Sequence, residues 1–300
     1  MADSPLSRRR FLQKAGAAAA GFSAMNAVSY DEVMGANDRL RIGVVGCGGM
    51  GNAHFSTLLD QQAAQNVRVT AVCDVFEQRA REFQAQAKKE GQTTTLYTDH
   101  RAMLEEEDLE YVVVATPEHW HQPITLDALD AGLHVYCEKP MTRTLEEAKT
   151  VVDRIDGTDR KLQVGVQGMS DDSYVSARQA IRDGLLGPVI EAQIEYVRWH
   201  SLEQGPWRTD RPDEEPKPED LDWERWLGPA PPRPWDPNRY HEWRNYVDYS
   251  GGIATDLFIH RLTRILKACD LRFPRRIVGM GGIYLWNDGR ELPDNLEMLA

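Results

Sequence analysis

Leu40-Arg41-Ile42-Gly43-Val44-Val45-Gly46-Cys47-Gly48-Gly49-Met50-Gly51 is a short β-branched run that empties into Gly46-x-Gly48-x-x-Gly51. The run predicts a buried strand over 40–45, and the residues after the turn, Met50 to Leu59, predict a helix. In that setting the first glycine permits a tight turn, the second lets backbone approach a pyrophosphate, and the third lets the helix sit close to the sheet. The N–H groups opening that helix then face the phosphates. A second apolar run, Val67 to Cys73, ends on Asp74, close to the ~20-residue spacing at which a ribose-binding acid is expected. The pattern is that of a dinucleotide site, with Gly46, Gly48, Gly49, Met50, Gly51 and Asp74 as its first candidates. Asp74 favours NAD, because a carboxylate accepts from both ribose hydroxyls but repels the 2′-phosphate of NADP. Arg79 is the cation near enough to meet a phosphate, and it keeps NADP as the lesser alternative.

Working outward, the text after β-like residues 40–45 alternates strand and helix, as in a doubly wound parallel sheet. Strands are expected at 67–73, 94–97, 111–115, 133–137 and 161–166, and helices at 50–60, 76–89, 99–105, 122–131, 144–155 and 174–183. Asp99 and Thr144 are expected N-caps, with Glu147 completing a capping box. Beyond Gly187-Pro188 the rhythm changes. A long strand is expected from Val189 to Trp199, then a stretch from Ser201 to Asp248 that holds nine of the sixteen prolines and five of the eight tryptophans. So much tryptophan does not suit disorder, so this stretch is expected to pack over the active site. Residues 252–269 return to helical spacing, 275–285 read as a strand, and Asn295 to Ala300 begins another strand with no terminator. These readings divide the chain into a leader and linker (1–37), a Rossmann domain (38–168) and a C-terminal α+β domain (169–300), expected to be incomplete.

A net charge of −12 and 41% hydrophobic residues fit a globular chain and disfavour a nucleic-acid partner. Ser7-Arg8-Arg9-Arg10-Phe11-Leu12, followed by a mild apolar stretch, resembles a twin-arginine export signal. Export through the twin-arginine machinery to the periplasm is therefore expected, with a cytoplasmic location if the signal is unused. Because that route carries folded proteins, the cofactor is expected to be tightly bound. The cysteines at 47, 73, 137 and 269 lack metal spacing and read as reduced core residues.

The chemistry-bearing segments follow. Val112 to Thr116-Pro117 is a strand ending at the edge where open α/β sheets bind ligands. The next strand delivers Glu138-Lys139-Pro140 to the same edge, where a lysine can stabilise a developing alkoxide or make a surface ion pair with Glu138. Asp256 and His260, at i and i+4 behind Gly251-Gly252, share a helical face. His260 can accept a hydroxyl proton, Asp256 can orient it, and a structural hydrogen bond is the competing reading. Arg244, Tyr246 and Tyr249, just before that helix, are expected to bind substrate hydroxyls. Trp199, Trp207, Trp223, Trp226, Trp235 and Trp243 are expected mainly to pack, with one or two left for a sugar face. His119 and His121 flank Trp120, but no third ligand has sensible spacing, so no metal is expected.

Taken in order, the glycine turn, Asp74, Thr116-Pro117-x-x-x-His121, Glu138-Lys139-Pro140 and Asp256-x-x-x-His260 resemble the Gfo/Idh/MocA oxidoreductases over about residues 38 to 290. The resemblance implies a catalytic group of Lys139, Asp256 and His260. It places Thr116, Pro117, His121, Glu138 and Gln167 on the cofactor side. It also implies a second domain built on a large, open, mostly antiparallel sheet that often serves as a homo-oligomer interface. Two departures leave the substrate open: 164–169 lacks a basic residue common in relatives, and Thr263 stands where many have an acid. The implied activity is NAD-dependent hydride transfer with a secondary alcohol of a sugar, polyol or glycoside. An NAD-dependent glycosidase that oxidises its sugar transiently is an alternative, and a non-catalytic NAD-binding sensor is another.

Overall fold

Six parallel strands realise the predicted alternation: β1 (Leu40–Val45), β2 (Val67–Cys73), β3 (Thr95–Tyr97), β4 (Tyr111–Val114), β5 (His134–Glu138) and β6 (Leu162–Gly165). The computed structural model describes residues 39–210 and 214–300. The expected export segment, with Arg8 and Arg9, lies outside the described residues. Five helices cross between the strands: α1 (Gly49–Gln65), α2 (Glu77–Lys89), α3 (His100–Glu106), α4 (His121–Asp130) and α5 (Leu145–Asp156). The sheet order β3-β2-β1-β4-β5-β6 reverses between β1 and β4. The loops leaving those two strands part in opposite directions, which opens a crevice at the carboxyl edge.

The unbroken valine runs follow from this architecture, because a sheet covered on both faces needs apolar residues at every position. Val112 and Val114 pack with Met103, Ile124, Ala128 and Leu129 on one face, while Val113 joins Phe55, Leu59 and Phe83 on the other. Helix α1 buries Gly51, Phe55 and Leu59, each a turn apart. Full burial of a side chain such as Phe55 contributes about 1.5–3 kcal/mol. The caps hold as read: Asp99 accepts from the Arg101 N–H, and Thr144 and Glu147 form the reciprocal capping box of α5. Cys47, Cys73 and Cys137 are buried and unbridged, and Cys269 is partly buried and unbridged.

The second domain departs from expectation at one segment. Residues 189–199, expected as a long strand, have no regular structure, and Ile190 and Trp199 are 96% and 88% exposed. A strand is stable only beside a hydrogen-bonding neighbour, and among the described residues none lies next to this segment. The expected antiparallel sheet is present, with two strands among the described residues: β7 (Val278–Gly282) pairs with β8 (Asn295–Leu299), from Val278 opposite Leu299 to Gly282 opposite Asn295. The segment read as an unfinished strand thus has its partner in β7. As so much tryptophan led one to expect, the proline-rich stretch is ordered by aromatic packing. The short helices α7 (Trp223–Leu227) and α8 (Pro237–His241), which follow α6 (Asp172–Arg182), gather Leu221, Trp223, Trp226, Leu227, Tyr240, Tyr246 and Tyr249 into a core of their own. That core is seated on Val75 and Phe76, just beyond the end of β2.

Candidate active site

Glycine is obligatory at two points of the first turn. Gly46 has φ +94°, and a Cβ there would come within 2.7 Å of the Ala115 carbonyl, while a Cβ on Gly51 would lie 1.8 Å from the Gly46 oxygen. These contacts lock the turn between β1, α1 and the loop after β4. Gly49 by contrast has nothing within 4 Å of such an atom, so that side of the turn is open. It faces a cleft of about 270 Å³ lined by Gly46, Gly48, Gly49, Met50, Asp74, Arg79, Thr116, Pro117, His121, Glu138, Lys139 and Arg244. Helix α1 has no side-chain cap, which leaves its first N–H groups for an anion. Asp74 already accepts from the Cys47 N–H at 2.7 Å and the Phe76 N–H at 2.8 Å. A carboxylate has about four acceptor sites, so capacity for ribose hydroxyls remains. Backbone donors, a helix start and an acid along one cleft fit a dinucleotide.

Lys139 lines the cleft, and behind it Nζ lies 2.8 Å from Oδ1 of Asp256, which like His260 is not a lining residue, and donates also to the Asp256 carbonyl at 2.9 Å. Arg244 Nε reaches the same Oδ1 at 3.2 Å, with its guanidinium 4.0 Å from the centre of the Trp243 ring. Burial works against an ionised Asp256, but the charges of Arg244 and Lys139 outweigh it and hold the carboxyl below the ordinary aspartate range. His260 is buried. Burial first, and the Lys139 charge second, push its pKa below the usual imidazole value, so the ring is neutral and able to accept a proton. Asp256 sits in a five-residue π-helical turn, Ile253–Leu257, which precedes α9 (Ile259–Ala268), rather than in the regular helix expected from its spacing to His260.

Other expected residues fall elsewhere. Tyr246 and Tyr249 are corrected: both are buried in the aromatic core, with Arg239 over their rings at 4.3 and 6.0 Å, and neither lines the cleft. Tyrosine suits a sugar site and a packed core equally, and nearest-neighbour sequence does not tell them apart. Gln167 is exposed and is not among the lining residues. Thr263 turns its hydroxyl to the Ile259 carbonyl of its own helix. His119 and His121 serve backbone carbonyls. His119 Nε2 lies 2.9 Å from the Trp226 oxygen, and the His121 nitrogens lie 2.6 Å from that of Pro140 and 2.9 Å from that of Thr116. Burial pushes His119 down to about 3. Among the described residues no group of three or more His, Cys, Asp or Glu side chains is arranged to hold a metal ion.

Two contributors, His54 and Glu118, escaped the sequence reading, whereas Trp243 was one of the tryptophans it offered for a sugar face. His54, on α1, places Nε2 2.7 Å from Glu138 Oε1, Glu118 is almost wholly buried, and Trp243 lines the cleft. The partners of His54 and Glu118 are far away in sequence, which leaves no local signal.

The residue pattern described as "Oxidoreductase family, NAD-binding Rossmann fold" matches residues 40–166, and its companion "Oxidoreductase family, C-terminal alpha/beta domain" matches 173–270. Among curated proteins, a "Glycosyl hydrolase family 109 protein 2" of Shewanella sp. (strain ANA-3) is 29% identical over 187 residues, 57% of this chain and 40% of its own length. An "Alpha-N-acetylgalactosaminidase" of Shewanella oneidensis is 25% identical over 231 residues, 67% of this chain and 50% of its own length. The chain thus spans about half the length of the curated relatives it matches. Of solved structures, GenD2 from gentamicin A biosynthesis, in complex with NAD, aligns with a TM-score of 0.62 at 20% identity over 87% of this chain and 61% of its own. The WlbA dehydrogenase of Chromobactrium violaceum aligns at 0.62 and 19%, over 87% and 63%. At those identities the two share the fold.

Proposed function

Because the chain belongs to the Gfo/Idh/MocA-like Rossmann-fold oxidoreductase family, we propose that it is an NAD-dependent oxidoreductase acting on a secondary alcohol of a sugar, polyol or glycoside. The observation that carries this reading is the Lys139–Asp256 pair at 2.8 Å, which joins a cofactor-side loop to the second domain beside the cleft. Bound NAD supplies the hydride acceptor. Lys139, held by Asp256, is placed to donate a hydrogen bond to the substrate hydroxyl and to stabilise alkoxide character as the C–H bond breaks. His260, neutral, takes the hydroxyl proton. Asp256 stays ionised between Arg244 and Lys139 and fixes the position of both cations, and Arg244 beside Trp243 gives the sugar a polar edge and a flat face. Substitution of His260 by Ala should lower turnover by ~10²–10⁴ while NAD affinity is kept. Full activity of a folded His260→Ala variant would assign the ring to packing.

The strap formed by residues 214–249 supports tight cofactor retention. It is fastened to the loops after four strands: Asp222 N–H to the Val75 carbonyl at 2.9 Å, Arg225 to the Thr98 carbonyl at 3.1 Å, the Trp226 carbonyl to Trp120 Nε1 at 2.9 Å, and Arg143 to the Val247 carbonyl at 2.9 Å. Mass spectrometry of the purified, denatured protein should find co-purified NAD. Retention accords with twin-arginine export of a loaded enzyme, which an Arg8→Lys/Arg9→Lys double variant should abolish.

A second reading, a glycosidase working by transient oxidation, is favoured by the names of the Shewanella relatives. Release of nitrophenol from a nitrophenyl α-N-acetylgalactosaminide without net change in nicotinamide absorbance would select it. Net NADH formation with a free sugar would select the dehydrogenase.

A further inference from the structure

Glu118 lies on a 3₁₀ turn, Glu118–Trp120, directly after the Thr116-Pro117 edge of the cleft, and only 1% of it is exposed. Its carboxyl group is held entirely from the other domain. Oε1 lies 2.7 Å from the Ser250 hydroxyl, and Oε2 accepts from the Gly251 N–H at 3.1 Å and the Thr255 hydroxyl at 3.3 Å. Ser250 Oγ in turn accepts from the Gly252 N–H at 2.9 Å. One side chain thus grips the first turn of the segment that carries Asp256, from a loop that borders the cofactor cleft. We propose that Glu118 is a positioning residue, a protonation-sensitive latch that sets where the Asp256 turn stands relative to the Thr116-Pro117 edge.

As a carboxylate Glu118 accepts from the Ser250 hydroxyl, the Gly251 N–H and the Thr255 hydroxyl; as the neutral acid its O–H can donate to Ser250 Oγ, the serine proton turning away, while the other oxygen still accepts from Gly251 and Thr255. Removal from water nonetheless disfavours the ionised form. Burial pushes the carboxyl up to about 7, helped by the charge of Asp256 and opposed by the hydrogen bonds of Ser250 and Gly251 and by Arg244. On its own loop, the neighbouring His119 is neutral and adds no charge at that pH. An opened segment would let Glu118 return to an ordinary carboxyl pKa of about 4.3. Between those two values the closed form binds the extra proton, so rising pH favours opening, by up to tenfold per pH unit.

The role of Asp256 in the reaction rests on the function proposed above, whereas amide exchange measures the latch without substrate. The test is hydrogen–deuterium exchange of the full chain at pH 5 to 8, corrected for intrinsic rates, on peptides covering 250–257. In the unmodified protein protection should fall at least about tenfold across that range. Glu118→Gln, which has the neutral shape and does not titrate, should hold the low-pH protection throughout. Glu118→Ala should lose it at every pH in 250–257 while β1 and β4 stay protected, and Ser250→Ala should do so to a smaller degree, which decides the matter if the first variant folds poorly. The same pH-dependent fall in Glu118→Gln, or unchanged protection in both alanine variants, overturns the proposal.

Discussion

The two walls of the cleft are held by different physics. On the sheet side, strands and helices bury aliphatic residues, and the glycine turn is positioned by close backbone contact and by hydrogen bonds from Gly46 to the Cys73 carbonyl and from Cys47 to Asp74. On the strap side, regular structure is minimal. Trp226 stacks on Trp223 with ring centres 4.8 Å apart and meets Tyr249 edge-on at 4.8 Å, and its carbonyl takes hydrogen bonds from His119 and Trp120. The sheet wall is a stack of local elements that happens to end in a ligand edge. The strap wall exists only because loops 75–77, 98 and 116–120 are there to receive it.

The largest expected effect tests that dependence. Trp226→Ala should cost about 3–5 kcal/mol in urea unfolding, comparable to truncating Phe55 in the sheet core. Only the Trp226 variant should also release co-purified NAD while the sheet remains folded. Equal release by both would erase the distinction between the walls.

Acid should then loosen the strap first. His119 is held far below its unfolded pKa of about 6.5, so as pH falls below that value the unfolded chain takes up a proton that the fold refuses. Its contribution is complete above pH 6.5 and is lost towards pH 3, by up to about tenfold in the folding constant per pH unit. Urea midpoints at pH 7 and 4.5 should differ less in His119→Asn than in the unmodified protein.

On the sheet wall, Asp74→Ser should remove a charged acceptor worth about 1.5–3 kcal/mol to the ribose and narrow or reverse the preference for NAD over NADP in titrations. Equal affinities in the unmodified protein would remove Asp74 from cofactor selection. The smallest change concerns the capping box: Thr144→Ala should lower stability by about 1 kcal/mol and leave cofactor retention untouched.

Sequence determined the sheet wall because its information is local. Val44 and Val113 stand in unbroken apolar runs that mark buried strands, Phe55 shows its face by a period of three to four, Thr144 and Glu147 announce a helix start three residues apart, and Gly46 to Gly51 encode their turn in six positions. The order of these elements then brings Asp74, Thr116 and Lys139 to one edge, so those candidates were legible too. Tertiary structure alone decided the rest. Glu118 meets Ser250 across 132 residues, and His54 meets Glu138 across 84. Tyr246 and Tyr249 went to the core while Arg244 went to the cleft, although all three stand within six residues. Residues 189–199 have alternating hydrophobicity and form no strand. A polar contact between distant segments leaves no period in the text, and a strand or an aromatic side chain acquires its role only from the neighbour that packs against it.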